Sequence, residues 1–133
     1  FFAEDYYGFD DALLGAYKII SIVWNSGKSL QEHFRDVPKT FITPEIKVKI
    51  SEQAKFEVMQ KIVDHFLQKY PDASMIDGIR IDFGEGAWGI VRASNTSAYL
   101  TMRFEARSKG KLKEIQKVVF GHLRGYSEIE GVP

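Results

Sequence analysis

The chain contains no cysteine among its 133 residues. Disulfide bridges, thiolate nucleophiles and cysteine metal ligands are therefore excluded. Proteins without disulfides are typical of the reducing cytosol, so the sequence predicts a cytoplasmic location.

The sequence also lacks an excess of charge and any long apolar run. Its 18 basic and 18 acidic side chains cancel, whereas general nucleic-acid binders usually carry a basic excess. No apolar run approaches the roughly 20 residues that span a bilayer. We therefore expect neither a nucleic-acid partner nor a membrane segment. The chain begins at Phe1 without a signal-peptide pattern, and we expect it to be a piece of a longer protein.

Residues 45–133 show the periodicities of an α+β domain. Alternating apolar residues predict about four antiparallel strands, and two helical stripes predict two helices that cover one face of the sheet. The first stripe starts at Phe56, and Gly125 stands where the second helix should end. The predicted strands are 46–50, 79–83, 87–91 and 100–104, and the predicted helices are 56–70 and 112–123.

Residues 1–38 have a different character. Asp10 and Asp11 suit the start of a helix, and Gly27 suits its end. Ser29 is placed to cap a short second helix. Residues 39–44, between Pro38 and Pro44, have the composition of a linker. We therefore predict a helical fragment at 1–38, a linker at 39–44 and a domain at 45–133.

The segment Trp88–Thr96 carries the clearest chemistry in the sequence. An apolar strand leads into Arg92, Ser94, Asn95 and Thr96, which we place in the loop after the strand. An arginine offers a planar fork that matches phosphate oxygens, and a tight turn can direct backbone N–H groups at an anion. No acid or base lies in this loop, so the segment predicts a phosphate-binding site and not a reaction centre.

Simpler interpretations remain open for these residues. The 92–96 segment also fits an ordinary polar turn, and Arg103 fits a solvated residue or a structural ion pair. No metal-ligand spacing links the three histidines, so we predict no metal site. A sheet backed by two helices also suits a stand-alone binding module.

Three matches make the chain resemble the C-terminal end of the α-D-phosphohexomutase family, in particular its bacterial phosphomannomutase/phosphoglucomutase branch. The segment from Phe1 to Ala12 is similar to the region after the sugar-binding loop of the third domain. Thr43-Pro44-Glu45 is similar to the hinge before the fourth domain. Residues 77–81, 88–96 and 100–106 are similar to the phosphate-binding core of the fourth domain.

The resemblance implies a TATA-binding-protein-like fourth domain, preceded by the end of the third. It implies a hinge at Thr43 and Pro44, and it implies that Arg92, Ser94, Asn95 and Thr96 bind the substrate phosphate. The parent enzyme is then a monomer that interconverts the 1- and 6-phosphates of glucose or mannose through a bisphosphorylated intermediate. The nearest alternative within the family is a phosphoglucosamine mutase.

The resemblance also implies what the chain lacks. The phosphoserine that transfers the phosphoryl group and the aspartates that hold Mg²⁺ belong to the first and second domains of such enzymes. We therefore expect no catalytic residue and no bound cofactor in this chain, whose partners are a phosphosugar and domains 1–3 of the parent. One departure stands out: the family commonly has a proline two residues after the loop threonine, where this chain has Ala98. We expect a looser exit from the loop.

Overall fold

Capping residues set both helices of the first 38 residues in the computed structural model, which describes residues 6–7 and 10–133. Helix α1 (Ala12–Ser26) begins where the Asp11 carboxylate accepts a hydrogen bond from the Leu14 amide at 2.9 Å. It ends at Gly27, whose φ of 65° is left-handed. Helix α2 (Leu30–His33) begins at a capping box of Ser29 and Glu32. The predicted helical character of this segment is confirmed. The matches at Phe1, Phe2, Gly8 and Phe9 lie outside the described residues.

The described chain divides into two compact units, the first ending at Pro38 and the second running from Lys39 to Pro133. No residue of α1 or α2 is buried. The side chains of Leu13, Tyr17 and Trp24 are 83%, 67% and 84% exposed, respectively. Burial of apolar surface is the dominant favourable term in folding, so the first unit has little of the stabilisation that a core provides.

Six strands form one antiparallel sheet in the second unit, in the order β3-β4-β5-β2-β6, with β1 also paired to β5. Four of them match the predicted strands, so the α+β expectation is confirmed. The two additional strands have two residues each, which is too short for a periodic pattern. The strands are β1 (Phe41–Ile42), β2 (Ile46–Ile50), β3 (Ile79–Asp82), β4 (Trp88–Ala93), β5 (Tyr99–Ala106) and β6 (Ile129–Glu130).

Helices α3 (Lys55–Lys69) and α4 (Lys109–Leu123) cover one face of this sheet. The core contains the inward-facing residues of the strands, such as Val48, Ile81 and Phe104, together with the apolar stripes of both helices. Successive residues of a strand point to opposite faces. The alternate set therefore forms an outer face that neither helix covers.

Two details of the helices differ from expectation. Phe56, predicted to begin the inward stripe of α3, is 62% exposed, and Lys55 takes the inward position with no exposure. The prediction was therefore wrong by one residue in the first turn of α3. The apolar pattern assigned the aromatic ring of Phe56 to the core, whereas the structure buries Lys55. Ser108 caps α4, and its hydroxyl accepts a hydrogen bond from the Lys111 amide at 3.1 Å. Gly125, however, is not left-handed: the cap is Arg124 in helical geometry.

Two histidines that are far apart in sequence meet on the helical layer. The rings of His65 on α3 and His122 on α4 stack with centroids 3.6 Å apart. The Tyr126 hydroxyl lies 3.0 Å from Nε2 of His122. Burial, with a smaller contribution from His65, lowers the pKa of His122 below its usual value. The stacked pair therefore serves as a packing contact between the two helices.

We predict that the two units differ in amide hydrogen exchange. Because α1 buries none of its residues whereas β4 and β5 lie in the core sheet, the amides of α1 should exchange faster than those of the central strands. Hydrogen exchange followed by NMR on the 133-residue chain measures this directly. Protection of α1 equal to that of β5 would contradict the prediction.

Candidate phosphate-binding site

Arg92 lies in strand β4 and not in the loop to which the sequence pattern assigned it. The strand continues through Ala93, because Arg92 pairs with Thr101 and Ala93 pairs with Leu100 of β5. Alternation along β4 buries Val91 and places Arg92 on the outer face. The guanidinium is therefore held by a rigid element of the sheet.

Three neighbours fix the guanidinium of Arg92. Its Nε donates to Oγ1 of Thr101 at 3.1 Å, and its Nη1 donates to Oδ2 of Asp77 at 2.9 Å. Its Nη2 lies 3.6 Å from Oε2 of Glu45, an ion pair longer than a hydrogen bond. The side chain stays 45% exposed. The hydrogen bond to Asp77 raises the pKa of Arg92 above its ordinary value, so the positive charge is permanent.

The bound arginine keeps hydrogen-bonding capacity for a ligand. A guanidinium has five N–H groups, and within the described residues two of them donate to Thr101 and Asp77. The remaining N–H groups suit a bidentate anion such as phosphate. Arg92 lines an open cavity of about 220 Å³ on the outer face of the sheet, together with Glu45, Thr101 and Arg103.

The residues after β4 form a short closed loop, residues 94–98. The Ser94 amide donates to the Tyr99 carbonyl at 2.9 Å, and the hydroxyls of Ser94 and Ser97 lie 2.8 Å apart. Asn95 and Thr96 are exposed at its tip. Within the described residues, the hydrogen bonds of Arg92 go to β5 and to Asp77 and not to this loop. Arg92 is thus a neighbour of Ser94, Asn95 and Thr96 in sequence, but its side chain makes no hydrogen bond to theirs within the described residues.

Gly78 brings Asp77 close enough to bind Arg92. Its φ of 74° is left-handed, a geometry that L side chains rarely adopt. A Cβ at this position would overlap the Val91 carbonyl oxygen and lie 2.7 Å from the Arg92 Cα. Only glycine therefore lets the backbone before β3 lie this close to the backbone of β4.

Sequence reasoning did not identify Glu45, Asp77 and Thr101 as partners of Arg92. Thr101 was recoverable in part, because it lies on the outward phase of β5. No sequence pattern indicated Asp77 or Glu45, because their contacts with Arg92 depend on which segments of the chain lie side by side in the fold. Arg103, predicted to be solvated or ion-paired, is exposed and lines the same cavity as Arg92.

The predicted hinge residues lie at the start of the second unit. Thr43 is buried, its amide donates to the Phe104 carbonyl at 2.9 Å, and its Oγ1 accepts from the Phe104 amide at 3.1 Å. Pro44 is exposed. The hinge stays a prediction, and any rotation at Pro44 has to preserve the two bonds between Thr43 and β5.

Two kinds of feature are absent from the described residues. Among them, no three histidine or carboxylate side chains come together as metal ligands. Nor does any helix in that part of the chain combine the length and apolar character needed to cross a bilayer.

Comparisons with known proteins show which family the chain is similar to. The model of the family "Phosphoglucomutase/phosphomannomutase, C-terminal domain" matches residues 45–122. A phosphomannomutase/phosphoglucomutase of Pseudomonas syringae pv. tomato is 35% identical over 126 residues, which cover 93% of this chain and 26% of that protein. A protein of Methanobrevibacter smithii named probable phosphoglucosamine mutase is 30% identical over 112 residues, which cover 80% of this chain and 24% of that protein.

A solved structure shares the fold. The crystal structure of a phosphoglucomutase/phosphomannomutase family protein from Burkholderia thailandensis superimposes with a TM-score of 0.71 at 23% identity. The match covers 98% of this chain and 28% of that one. The chain thus spans about a quarter of the length of the relatives it matches.

We predict that Gly78→Ala destabilises the second unit by about 1–3 kcal/mol, because the new Cβ meets backbone in a left-handed conformation. Gly121→Ala is the matched control. Gly121 lies in α4 with nothing within 4 Å of an added Cβ, so the control should gain about 0.5–1 kcal/mol. Urea unfolding followed by Trp88 fluorescence, in a Trp24→Phe background, measures both. Equal stabilities for the two variants would refute the role of Gly78.

Proposed function

The chain belongs to the phosphoglucomutase/phosphomannomutase C-terminal domain family, and on that premise we propose that it is the phosphate-binding domain of a phosphohexomutase. The parent enzyme interconverts the 1- and 6-phosphates of mannose or glucose through a bisphosphorylated intermediate. In this proposal turnover belongs to the parent enzyme, to which this chain, about a quarter of the length of its relatives, contributes the phosphate site.

One observation carries the proposal. A permanently charged guanidinium is fixed on a strand, keeps free N–H groups and lines an open cavity. The loop at 94–98 follows this strand directly, with the side chains of Asn95 and Thr96 exposed at its tip. Arg92 supplies charge, while Ser94, Asn95 and Thr96 supply short neutral donors. These groups together suit an incoming phosphate monoester.

Such a site matches what a mutase requires of its non-reacting phosphate. The intermediate has to present first one and then the other phosphate for transfer, so the same residues have to accept a 1- or a 6-phosphate. A site that recognises phosphate by charge and short donors, without contacting the sugar, meets that requirement. The phosphoserine and the Mg²⁺ site belong, in this proposal, to other domains of the parent. The described residues do not fit a Mg²⁺ site, and no step is assigned to the metal here.

The proposal includes closure of the parent's cleft by rotation near Thr43 and Pro44. Pro44 is exposed, whereas Thr43 is tied to β5. We therefore place the rotation on the side of Thr43 that leads toward the first unit, with Thr43 moving as part of the domain. Lid and domain closures of this kind exclude water and complete a binding site.

A phosphoglucosamine mutase is the second candidate, favoured by the match to the Methanobrevibacter smithii protein of that name. Arg92 and the loop contact only the phosphate in our proposal, so they do not discriminate between glucose, mannose and glucosamine phosphates. An assay of the parent with each of the three 1-phosphates separates the candidates.

We predict that Arg92→Ala weakens binding of glucose 1-phosphate and glucose 6-phosphate about ten- to a hundredfold. Charge-assisted hydrogen bonds contribute on the order of 1.5–3 kcal/mol each. In the parent, kcat/KM should fall by a similar factor for mannose and glucose phosphates. Titration of the chain followed by ¹H–¹⁵N NMR measures the affinity, with shifts expected at residues 89–96.

Arg80→Ala is the matched control for charge. Arg80 lies on the same outer face, on β3, with its guanidinium over the Trp88 ring at 4.9 Å. Its loss should change phosphate affinity by less than about twofold. If Arg92→Ala binds both phosphates as the unmodified chain does, the assignment of Arg92 is wrong.

We also predict that Glu45→Gln strengthens phosphate binding by about 1.4- to 5-fold. The carboxylate lies 3.6 Å from Nη2 of Arg92 and repels an incoming dianion. Exposed charge pairs at this distance contribute about 0.2–1 kcal/mol. Glu105→Gln, on the outer face of β5 opposite Trp88, serves as the control and should have a smaller effect. Unchanged or weaker binding by Glu45→Gln at low salt would contradict the competition.

A further inference from the structure

Lys55 is a fully buried lysine at the first residue of α3. It has no exposure and is among the largest completely buried side chains of the described chain. Transfer of an ammonium group from water into a protein interior is costly unless the charge is paired and hydrogen-bonded. A buried lysine at a helix terminus therefore requires a specific set of partners.

The partners of Lys55 lie at the exit of the loop formed by residues 94–98. The Nζ atom donates to the Glu52 carboxylate at 2.6 Å and to the Ser97 carbonyl at 3.0 Å. Glu52 is close in sequence and 55% exposed, whereas Ser97 is 42 positions away. The ammonium thus joins the start of α3 to the backbone of a distant loop.

Other bonds hold the same side of the loop. The Ser97 carbonyl also accepts from the Tyr99 amide at 2.8 Å, and the Ala98 carbonyl accepts from the Ile50 amide at 3.1 Å. The hydroxyl of Ser97 contacts that of Ser94 across the loop at 2.8 Å. The charged donor of Lys55 makes the strongest type of bond in this group, and its acceptor, the Ser97 carbonyl, lies one residue before Ala98.

We propose that Lys55 is a positioning residue that sets the affinity of the phosphate loop by fixing the Ser97 carbonyl. This inference rests on the proposed function of the loop. With Ser97 held by a buried ammonium, the N–H groups of Asn95 and Thr96 and the hydroxyls of Ser94 and Thr96 keep one arrangement before the ligand arrives. A preorganised loop loses less conformational freedom on binding than a mobile loop does.

The structure offers a way to remove this bond while keeping the fold. Replacement of Lys55 by methionine fills a similar volume with an apolar chain. The Ser97 carbonyl keeps the Tyr99 amide as its donor, and the exposed Glu52 carboxylate turns to water. No buried polar group loses its last partner, which is the usual cause of a large loss of stability.

The test compares Lys55→Met with Lys61→Met in the 133-residue chain. Lys61 lies on the same helix, is 53% exposed and pairs with Glu57, so it matches the charge change without touching the loop. The measurements are the dissociation constant for inorganic phosphate by NMR titration, the exchange rate of the Tyr99 amide, and stability in urea. We expect Lys55→Met to bind phosphate about tenfold more weakly, the loss of roughly one charged hydrogen bond. Exchange at Tyr99 should be faster, and both properties should be unchanged in Lys61→Met.

Lys55→Arg tests the mechanism, because it keeps a charged donor at the same position. It should restore at least half of the lost affinity and slow the exchange of Tyr99 again. A merely structural role would lower global stability in Lys55→Met without this local, donor-dependent change in the loop.

A second measurement needs no substitution. The ¹⁵Nζ signal of Lys55 in the unmodified chain should shift when phosphate saturates the loop, while that of Lys61 should not. An unchanged Lys55 signal at saturation overturns the inference even where Lys55→Met does not fold. Equal phosphate affinity in folded Lys55→Met and unmodified chains overturns it as well. Failure of the unmodified chain to bind phosphate at all overturns the proposed function itself, and this result is distinct from the other two.

Discussion

The candidate site depends on the alternation of β4. One residue of this strand, Val91, is fully buried in the core, and the next, Arg92, points to the outer face. The same hydrogen-bond ladder with β5 fixes both directions, so the core that stabilises the sheet also fixes the arginine in space. A shift of the register by one residue would reverse both side chains. Burial in the core therefore specifies the orientation of the charged group.

Elements with a periodic signal were predictable from the sequence. The four longer strands and the two covering helices follow from apolar spacing, because the spacing of apolar residues indicates which face of a strand or helix is buried. Asp11, Ser29 and Ser108 were predictable as caps because short polar side chains satisfy the first amides of a helix. β1 and β6, with two residues each, were not predictable, since their pairing is decided by β2 and β5.

The charged interactions of Lys55 and Arg92 were the least predictable part of the site. Sequence patterns assign lysines to solvent, and Phe56 was the better candidate for the core than Lys55. In the structure, α3 instead turns Lys55 toward the core. This orientation is possible because the ammonium group of Lys55 donates to two oxygen acceptors, at 2.6 and 3.0 Å. The bond from Arg92 to Asp77 was hidden for a related reason. It requires a left-handed Gly78 where two chain segments approach closely, and a linear sequence does not show which segments lie side by side.

In the proposed site, Arg92 serves affinity and the buried Lys55 serves geometry. Arg92 is charged and half exposed, but Asp77 and Glu45 surround it with two negative charges. This arrangement fixes the guanidinium at some cost to its attraction for a dianion. The adjacent loop then has to supply what the paired arginine does not, namely neutral donors in a defined arrangement. Such donors lose affinity when their backbone is mobile. In the proposed site, the donors of a loop that Lys55 and the following strand hold in place therefore offset the effect of the acidic neighbours of Arg92.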